Sequence, residues 1–232
     1  MMDKIYWNQS QVTEPQAAME SLSAAERDTY NGFRFDRRRQ TWLAGRYAAK
    51  SLLSNAMDGD LDPDQIVIAN NDLGAPLAIV SGKRVPGCLS ISHTGEWGAA
   101  AFASSGIQVG IDIERITMRS GAFVRDYFTA HEVELVSVAN GNAAETITLI
   151  WSAKEALLKA MGVGLRLDTR QVEVLSISES GQVDQTGWHW MDLASPKLQA
   201  QVDAFWRMFK GQLMTLVALK DAGKNLTLVE IT

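Results

Sequence analysis

The sequence predicts an α+β fold of two similar lobes, each a long helix packed on a small antiparallel sheet, with a pseudo-twofold relation between them. Two long helical patterns, at about residues 36–57 and 144–161, support this prediction. Short alternating segments separated by turn residues follow each helix, as expected for antiparallel strands. We therefore divide the chain into residues 1–105 and 106–232, although no residue-level repeat between the halves is visible.

Composition and charge are typical of a soluble globular protein. The 232 residues are 46% hydrophobic and 21% charged, which allows a sizeable core. The net charge of −5 argues against a general nucleic-acid binder, and the single cysteine, Cys88, excludes a disulfide framework or a multi-cysteine zinc site. Residues 1–7 lack the apolar region of a signal peptide, and no run of about 18 apolar residues occurs, so we expect a cytoplasmic protein without a membrane span.

In the first half, an alternating strand at residues 1–12 precedes a helix at 21–30, for which Ser21 or Ser23 is the expected N-cap. The long helix that follows has an apolar stripe that includes Trp42. It begins with a basic run, Arg37–Arg39, which is typical of a solvated face. Period-2 patterns between turn residues then predict four short strands: Gln65–Ala69, Leu77–Val80, Leu89–Thr94 and Gly98–Ala103.

The second half opens with a predicted hairpin. Gly98–Ala103 and Ile107–Ile113 flank the turn Ser104-Ser105-Gly106, so the second of these strands is expected to be central and well paired. Helices are predicted at 122–127, at 130–138 with Thr129 as N-cap, and at 144–161. The remaining predicted strands are Val172–Ile177, Gly187–Leu193, Gln199–Phe205, Leu213–Leu219 and Leu226–Ile231.

Three carboxylates and a lysine form the main candidate site. Asp112 and Glu114 are two residues apart on one strand and share a face, and Glu155 and Lys159 are one helical turn apart. Magnesium prefers oxygen ligands and usually binds a few carboxylates together with substrate phosphates. Two ordinary explanations remain open, since an Asp-x-Glu pair also occurs on solvated strands and Ser152-Ala-Lys-Glu155 fits a helix capping box.

Candidate phosphate contacts occur in the first half. Arg46 lies on the long helix, and the polar loop Asn70–Pro76 contains Gly74, where backbone can approach a ligand. Ser92-His93 ends a strand and supplies a hydroxyl beside an imidazole. Each feature has an ordinary alternative, namely a charged helix face, a simple turn, or a histidine satisfied by backbone.

Two motifs carry a family resemblance. Gly110-Ile-Asp-Ile-Glu114 followed by Trp151-Ser-Ala-Lys-Glu-Ala-Leu-Leu-Lys159 resembles the 4′-phosphopantetheinyl transferase superfamily, in its larger, pseudo-dimeric, surfactin-synthetase-activating type. The resemblance runs from about residue 35 to residue 177. Its further matches are Leu89–His93, Phe128-Thr129 with Glu132, and Gly45-Arg46.

The resemblance implies a magnesium-dependent transferase of the holo-[acyl-carrier-protein] synthase type. In that reaction, a serine of an apo acyl or peptidyl carrier protein attacks the β-phosphate of coenzyme A. Phosphopantetheine moves to the serine, and adenosine 3′,5′-bisphosphate leaves. The resemblance also implies a monomer whose partners are coenzyme A and the carrier. From the net charge and the lack of a long apolar run, we expect neither nucleic acid nor a membrane as a partner. We expect the carrier to dock near residues 116–128.

Individual roles follow from the same resemblance. Asp112, Glu114 and Glu155 would hold Mg²⁺, and Glu155 would also be the general base. Lys159 would neutralise charge on the transferred phosphate, and Lys154 would contact the pyrophosphate. The lobe 106–232 would thus hold the metal and the catalytic groups. The lobe 1–105 would bind coenzyme A, with Ser92, His93 and Arg46 on its phosphates and Gly74 and Pro76 along its adenine.

Two departures from the family pattern affect the expected affinity for coenzyme A more than the chemistry. Ala75 stands where many members have lysine, and Ser90 where many have asparagine. We expect Arg46 or one of Arg37–Arg39 to compensate for the lysine. Two alternatives remain: an enzyme acting on another nucleotide pyrophosphate, or a catalytically weak member that only binds coenzyme A or a carrier. The intact carboxylates and lysines argue against the weak member.

Overall fold

The computed structural model describes residues 3–57, 61–103, 106–139, 142–182, 187–221 and 225–231. The α-helices are α1 (Pro15–Glu20), α2 (Ala24–Gly32), α3 (Asp36–Ala56), α4 (Gly121–Tyr127), α5 (Ala130–Val138) and α6 (Ala143–Ala160). The strands are β1 (Asp3–Gln11), β2 (Ile66–Asn70), β3 (Pro76–Val80), β4 (Lys83–Arg84), β5 (Cys88–Thr94), β6 (Trp97–Ala103), β7 (Gln108–Arg115), β8 (Glu173–Gln182), β9 (His189–Ala194), β10 (Gln201–Phe209), β11 (Gln212–Lys220) and β12 (Leu226–Glu230). None of these helices is long and apolar enough to cross a membrane.

The chain divides into two compact units, and residues 1–107 together with 223–232 form the first. Its main sheet has the strand order β12-β1-β6-β5, and β2, β3 and β4 form a separate sheet. Helix α3 packs on β1, β5 and β6, because one of its faces carries a row of small and branched apolar side chains. The core beneath α3 includes Ala48, Leu52, Leu53, Leu89 and Ala100.

Residues 108–222 form the second unit, around a sheet with the strand order β7-β11-β10-β9-β8. All of its strand pairs are antiparallel. Helix α6 packs on β7 and β11 and is buried along most of its length, since its residues from Ile147 onward are mainly apolar. The core between helix and sheet includes Ile150, Ala153, Leu157, Val172 and Val217.

The two units share one order of elements. In each, a first strand leads through short helices to a long helix, and strands follow. The first strand pairs antiparallel with a later one, as β1 does with β6 and β7 with β11. That later strand also pairs with the strand before it, as in β5–β6 and β10–β11. The predicted α+β class, with a long helix on a mainly antiparallel sheet in each half, is confirmed. The pseudo-twofold relation stays a prediction.

One predicted strand pairing is wrong. Strand β6 pairs with β1 and β5, not with β7, so the predicted hairpin through residues 104–106 does not form. Strand β7 is accordingly the terminal strand in the order of its sheet, not a central one. Turn residues specify a change of chain direction but not the partner of the strand that follows, which explains the error. Ser104 and Ser105 themselves lie outside the described residues.

The C-terminal strand also differs from its predicted position. We assigned residues 106–232 to one lobe, but β12 pairs in parallel with β1, and residues 223–232 therefore belong to the first unit. Leu226 lies opposite Asp3, and Glu230 lies opposite Trp7. A parallel partner far away in sequence leaves no local signal in the chain, because no turn joins the two strands.

Two glycines allow the long helices to approach their sheets closely. A Cβ on Gly98 of β6 would lie 2.0 Å from the backbone oxygen of Ala44 in α3. A Cβ on Gly110 of β7 would lie 1.8 Å from the backbone oxygen of Ala156 in α6. Helix backbone cannot rotate away as a flexible side chain can, so both positions require glycine. The Gly110 contact also determines how close α6 lies to the strand that carries Asp112.

We predict that Gly110→Ala destabilises the protein by about 3 kcal/mol or more, because the added methyl overlaps the main chain of α6. Gly32→Ala is the control, since a Cβ at the exposed end of α2 meets nothing within 4 Å. Its effect is expected to be below about 1 kcal/mol. Urea denaturation measures both variants, and equal stabilities would contradict the close packing of α6 on β7.

Candidate functional site

The carboxylates of the second unit are held by β7 and α6. The side chains of Ile111 and Ile113 lie on one face of β7 and are buried. The side chain of Asp112 lies on the opposite face and is 2% exposed. Asp112 lies opposite Thr215 of β11, whose hydroxyl is 2.9 Å from that of Ser152 in α6. The strand and the helix are therefore joined beside Asp112 by a polar contact within an apolar core.

Lys159 lies among the predicted carboxylates. Its Nζ donates to Asp112 Oδ1 at 2.7 Å and to the backbone oxygen of Ile111 at 3.1 Å. The same ammonium is 3.9 Å from Glu155 Oε2, one helical turn earlier. Glu114 pairs instead with Arg119, at 3.3 Å. The structure thus brings together Asp112, Glu155 and Lys159 directly, and Glu114 by its position two residues along β7.

Burial and mutual repulsion dominate the electrostatics of this cluster. Desolvation raises the pKa of Glu155 to about 7, and the nearby charge of Asp112 contributes in the same direction. Desolvation also raises the pKa of Glu114 to about 7, again with a contribution from Asp112, although Arg119 and Lys159 oppose it. These carboxyl groups therefore change protonation near neutral pH, where a carboxyl group can accept a proton from a substrate.

The chemistry of these donors fits a hard divalent cation. Carboxylate oxygens are the ligands that Mg²⁺ prefers, and a cation would relieve the repulsion that raises the pKa of Glu114 and Glu155. Among the described residues, no three His, Cys, Asp or Glu side chains converge closely enough to form a complete metal site. The Lys159 ammonium serves as counter-ion to Asp112 in this arrangement. Metal binding by Asp112, Glu114 and Glu155 thus stays a prediction.

Lys154 is not placed as predicted for a phosphate contact. Its side chain is fully buried, and its ammonium pairs with Glu132 of α5 and lies 5.7 Å from the ring centre of Phe128. Neighbouring residues of a helix point about 100° apart, so Lys154 and Glu155 face different surroundings. An ammonium with no exposure cannot reach a phosphate without leaving Glu132, and we withdraw the phosphate role for Lys154.

All but one of the predicted contacts of the first unit line one cavity. Arg46, Gly74, Pro76 and His93 surround a volume of about 210 Å³. Residues far apart in sequence meet there because α3, the loop before β3, and β5 converge. Ser92 is buried and does not line the cavity, since it precedes His93 on a strand and neighbouring strand residues alternate in direction. The other lining residues are Arg38, Trp42, Gly45, Asn70 and Ile91.

Arg46 is the central cation of this cavity. Its guanidinium lies 4.9 Å from the ring centre of Trp42, and its Nε is 3.9 Å from Glu26 Oε1. Burial lowers the pKa of Arg46, although Glu26 opposes this shift, and a guanidinium remains charged at neutral pH regardless. Among the described residues, the buried Nε has no hydrogen-bond partner, and its 3.9 Å separation from Glu26 Oε1 is an ion pair and not a hydrogen bond. What the cavity offers an anionic ligand is therefore the positive charge of the guanidinium.

The loop at the cavity edge is ordered by Asn71. Its side-chain oxygen accepts hydrogen bonds from the backbone N–H groups of Leu73 and Ala75, at 3.0 and 2.9 Å. Gly74 has a φ of +86°, which favours glycine. Gly74 and Pro76 line the cavity on both sides of Ala75. Ala75 itself carries no charge, so this edge lacks the cation that the family pattern would supply.

Sequence reasoning missed Trp42 and Asn70 as cavity residues. We interpreted Trp42 as part of the apolar stripe, but it lies one turn before Arg46 and so shares its helix face. That spacing was the available signal. Asn70 ends β2, and its place beside the cavity depends on the pairing of β2 with β3, which brings Asn70 opposite Pro76. Arg38 of the predicted basic run also lines the cavity.

Comparison with known proteins is consistent with this geometry. A model of the 4′-phosphopantetheinyl transferase superfamily matches residues 108–209, which include Asp112, Glu114, Glu155 and Lys159. A phosphopantetheinyl transferase of Thraustochytrium is 29% identical over 69% of this chain and 59% of its own length. The mouse L-aminoadipate-semialdehyde dehydrogenase-phosphopantetheinyl transferase is 28% identical over 67% of this chain and 53% of its own length. The chain therefore spans little more than half the length of these two relatives.

Further similar proteins include 4′-phosphopantetheinyl transferase Sfp of Bacillus subtilis, which is 27% identical over 73% of each chain. A solved holo-(acyl-carrier-protein) synthase of Bacillus anthracis, in complex with CoA (3′,5′-ADP), is 26% identical and covers 45% of this chain and 100% of its own. Its TM-score is 0.38.

The raised pKa values predict that, without metal, the stability of the protein falls as the pH rises from about 4.5 to about 7. In this interval the folded protein retains protons on Glu114 and Glu155 that the unfolded chain has released, so a higher pH favours unfolding. Glu155→Gln removes one of these groups. The variant should exceed the wild type in stability at pH 8 by about 1–3 kcal/mol and lose this advantage near pH 4.5.

Thermal unfolding in EDTA measures this difference. Glu134→Gln, at an exposed position of α5, is the control and should follow the wild type at both pH values. A Glu155→Gln variant less stable than the wild type at pH 8 would contradict the repulsion inferred for the cluster.

Proposed function

Because the chain belongs to the 4′-phosphopantetheinyl transferase superfamily, we propose that it transfers phosphopantetheine from coenzyme A to a serine of an apo acyl or peptidyl carrier protein. Adenosine 3′,5′-bisphosphate is the second product. The observation that carries this proposal is the cluster of β7 and α6, in which Asp112, Glu155 and Lys159 meet beside Glu114. The same cluster lies within the residues that match the family.

Glu155 is the proposed general base. Before a cation binds, burial and the charge of Asp112 raise its pKa to about 7. A carboxylate at this position can accept a proton from a serine hydroxyl. Glu155 accepts that proton as the serine oxygen forms a bond to the β-phosphorus of coenzyme A. The bond between this phosphorus and the bridging oxygen breaks, and its electron pair leaves with adenosine 3′,5′-bisphosphate. A phosphoryl transfer of this kind needs positioning and charge neutralisation more than covalent help from the protein.

Lys159 is the proposed partner of the transferred phosphate. In the structure its ammonium contacts Asp112, and 28% of its side chain is exposed, so it is accessible to a ligand. A positive charge at this position stabilises the negative charge that develops on the phosphate oxygens. Asp112, Glu114 and Glu155 are the residues that would hold magnesium, which when bound neutralises pyrophosphate charge. Arg119, which pairs with Glu114, is then available to another anion.

The cavity of the first unit is the proposed site for the nucleotide end of coenzyme A. Arg46, Arg38 and His93 supply cationic or hydrogen-bonding groups for phosphates, and Trp42 supplies an aromatic face. Gly74 and Pro76 offer a narrow edge without a charged side chain, suited to a planar base. Ser92 is buried in β5, directly before His93.

The two similar units support a proposal for the finer type of the enzyme. The shared element order supports the larger, pseudo-dimeric type, in which one chain supplies both halves. We accordingly propose a monomer that acts with coenzyme A and a carrier protein. Met118 is 61% exposed and Tyr127 is 39% exposed, which supports carrier docking along residues 116–128.

The proposed reaction predicts that the protein adds phosphopantetheine to apo carrier proteins in the presence of coenzyme A and magnesium. Intact-mass measurement of a panel of apo carriers detects the product. Glu155→Gln should lower kcat by about 100-fold or more, because the amide cannot accept the serine proton. It should still bind coenzyme A, and Glu134→Gln should retain full activity. A lack of mass gain on every carrier by the folded wild type would exclude the transferase.

The neutral edge at Ala75 predicts a gain of affinity by substitution. Ala75→Lys places a cation between Gly74 and Pro76, which line the cavity, and should lower the KM for coenzyme A by about two- to fivefold. Leu73→Lys adds the same charge at an exposed position of the same loop that does not line the cavity. Steady-state kinetics compare the two. If both variants lower KM equally, total charge and not the cavity is responsible.

A further inference from the structure

A buried glutamate joins three elements of the second unit. Glu132 lies in the first turn of α5, and its Oε2 accepts a hydrogen bond from the backbone N–H of Thr129 at 2.8 Å, closing a capping box. Its Oε1 accepts from the backbone N–H of Val174, at the start of β8, at 2.9 Å. The Lys154 ammonium of α6 completes the set as an ion pair. Both side chains of this pair have no exposure.

The first unit contains the same arrangement. Glu26 lies in the first turn of α2, and its Oε2 accepts from the backbone N–H of Ser23 at 3.0 Å in a second capping box. Its Oε1 accepts from the backbone N–H of Ile68 in β2 at 3.1 Å. The Lys50 ammonium of α3 lies 2.5 Å from Glu26 Oε2. In both units the glutamate and the strand amide are 42 residues apart.

Each lysine of these pairs is close to a proposed site residue on the same long helix. Lys154 directly precedes Glu155, which is one turn before Lys159. Lys50 follows Arg46 by one turn, and Arg46 Nε is itself 3.9 Å from Glu26 Oε1. A helix held at one buried ammonium cannot rotate about its axis or slide along it without breaking the ion pair. Apolar packing alone would tolerate small shifts of this kind, because it is not directional.

We propose that Glu132 and Glu26 are positioning residues for the transferase reaction, and that this role rests on the proposed function. Glu132, through Lys154, holds Glu155 and Lys159 against Asp112 of β7. Glu26, through Lys50 and its own contact with Arg46, holds the guanidinium in the cavity of the first unit. One structural device, present twice, thus supports two different steps. The pair in the second unit supports chemistry, and the pair in the first unit supports binding of coenzyme A.

Paired neutral variants test this assignment. Removing one partner leaves a buried charge and is expected to destabilise the fold strongly, whereas replacing both is often tolerated. The variants are therefore Glu132→Gln with Lys154→Met and Glu26→Gln with Lys50→Met. Gln retains an oxygen for the strand amide, and Met retains the length of the side chain. The control is Asp203→Asn with Lys220→Met, which removes another buried ion pair of the second unit, between β10 and β11.

Thermal unfolding first confirms that each of the three paired variants is folded. We then measure their steady-state kinetics, and we measure coenzyme A binding by calorimetry without a carrier. The Glu132/Lys154 variant should lose about tenfold or more in kcat, with its KM and Kd for coenzyme A within twofold of wild type. The Glu26/Lys50 variant should show the opposite, a Kd and KM raised about tenfold with kcat within twofold. The Asp203/Lys220 control should retain wild-type values.

The outcomes separate the two proposals. If both paired variants retain wild-type kcat, KM and Kd, the ion pairs serve folding alone and the positioning role is wrong. A control that loses as much activity as the Glu132/Lys154 variant would also overturn it, since any lost buried pair would then suffice. If the wild type transfers nothing to any carrier, the proposed function fails. The binding measurement still tests the Glu26 half in that case, because coenzyme A binding needs no turnover.

Discussion

In each unit, one buried carboxylate connects a short helix, a strand and the long helix, which are far apart in the sequence. Glu132 closes the capping box of α5, accepts a hydrogen bond from the backbone N–H of Val174 in β8, and pairs with Lys154 of α6. Such a group is costly to bury unless each of its oxygens is satisfied, and here both are. The close contact of α6 with Gly110 then leaves the helix little freedom to adjust. The orientation of α6, and with it the candidate site, depends on these two constraints.

The carboxylate cluster between α6 and β7 is electrostatically unfavourable when no cation or substrate is bound. Desolvation raises the pKa of Glu114 and Glu155, and the charge of Asp112 adds to the effect. Lys159 compensates in part, as a counter-ion that contacts Asp112 and lies near Glu155. A cluster of this kind is typical of sites that bind cations or transfer protons, because its repulsion is relieved only when a ligand arrives. The fold sustains this strain through the apolar packing of α6 on β7 and β11.

Most of the candidate site could be predicted from the sequence, because periodicity assigns residues to faces. The period of 2 in a strand predicted that Asp112 and Glu114 share a face. The helical period predicted the same for Glu155 and Lys159. The same reasoning failed for Lys154, which belongs to the same motif. Its helix face could be calculated, but whether that face meets solvent, phosphate or a carboxylate depends on α5, which supplies Glu132. Likewise, the arrangement that the two units share, a first-turn glutamate paired with a lysine of the long helix, is visible only in the contacts of the structure. Only a few residues in each unit form it, so it leaves no recognisable repeat in the sequence.

The sequence by itself determined the α+β class, the long helices, the N-cap Thr129 and the residue types of the candidate site. These features follow from local propensity and from short-range spacing, which a chain carries within a few residues. The capping box considered at Ser152 does not form, because Ser152 lies inside α6. Only the tertiary structure decided that β7 pairs with β11, that β12 returns to β1, and that Arg46 and His93 share a cavity. Strand partners and cavities depend on packing between residues distant in the chain. The total burial that selects one pairing over another is a property of the whole fold and not of any segment.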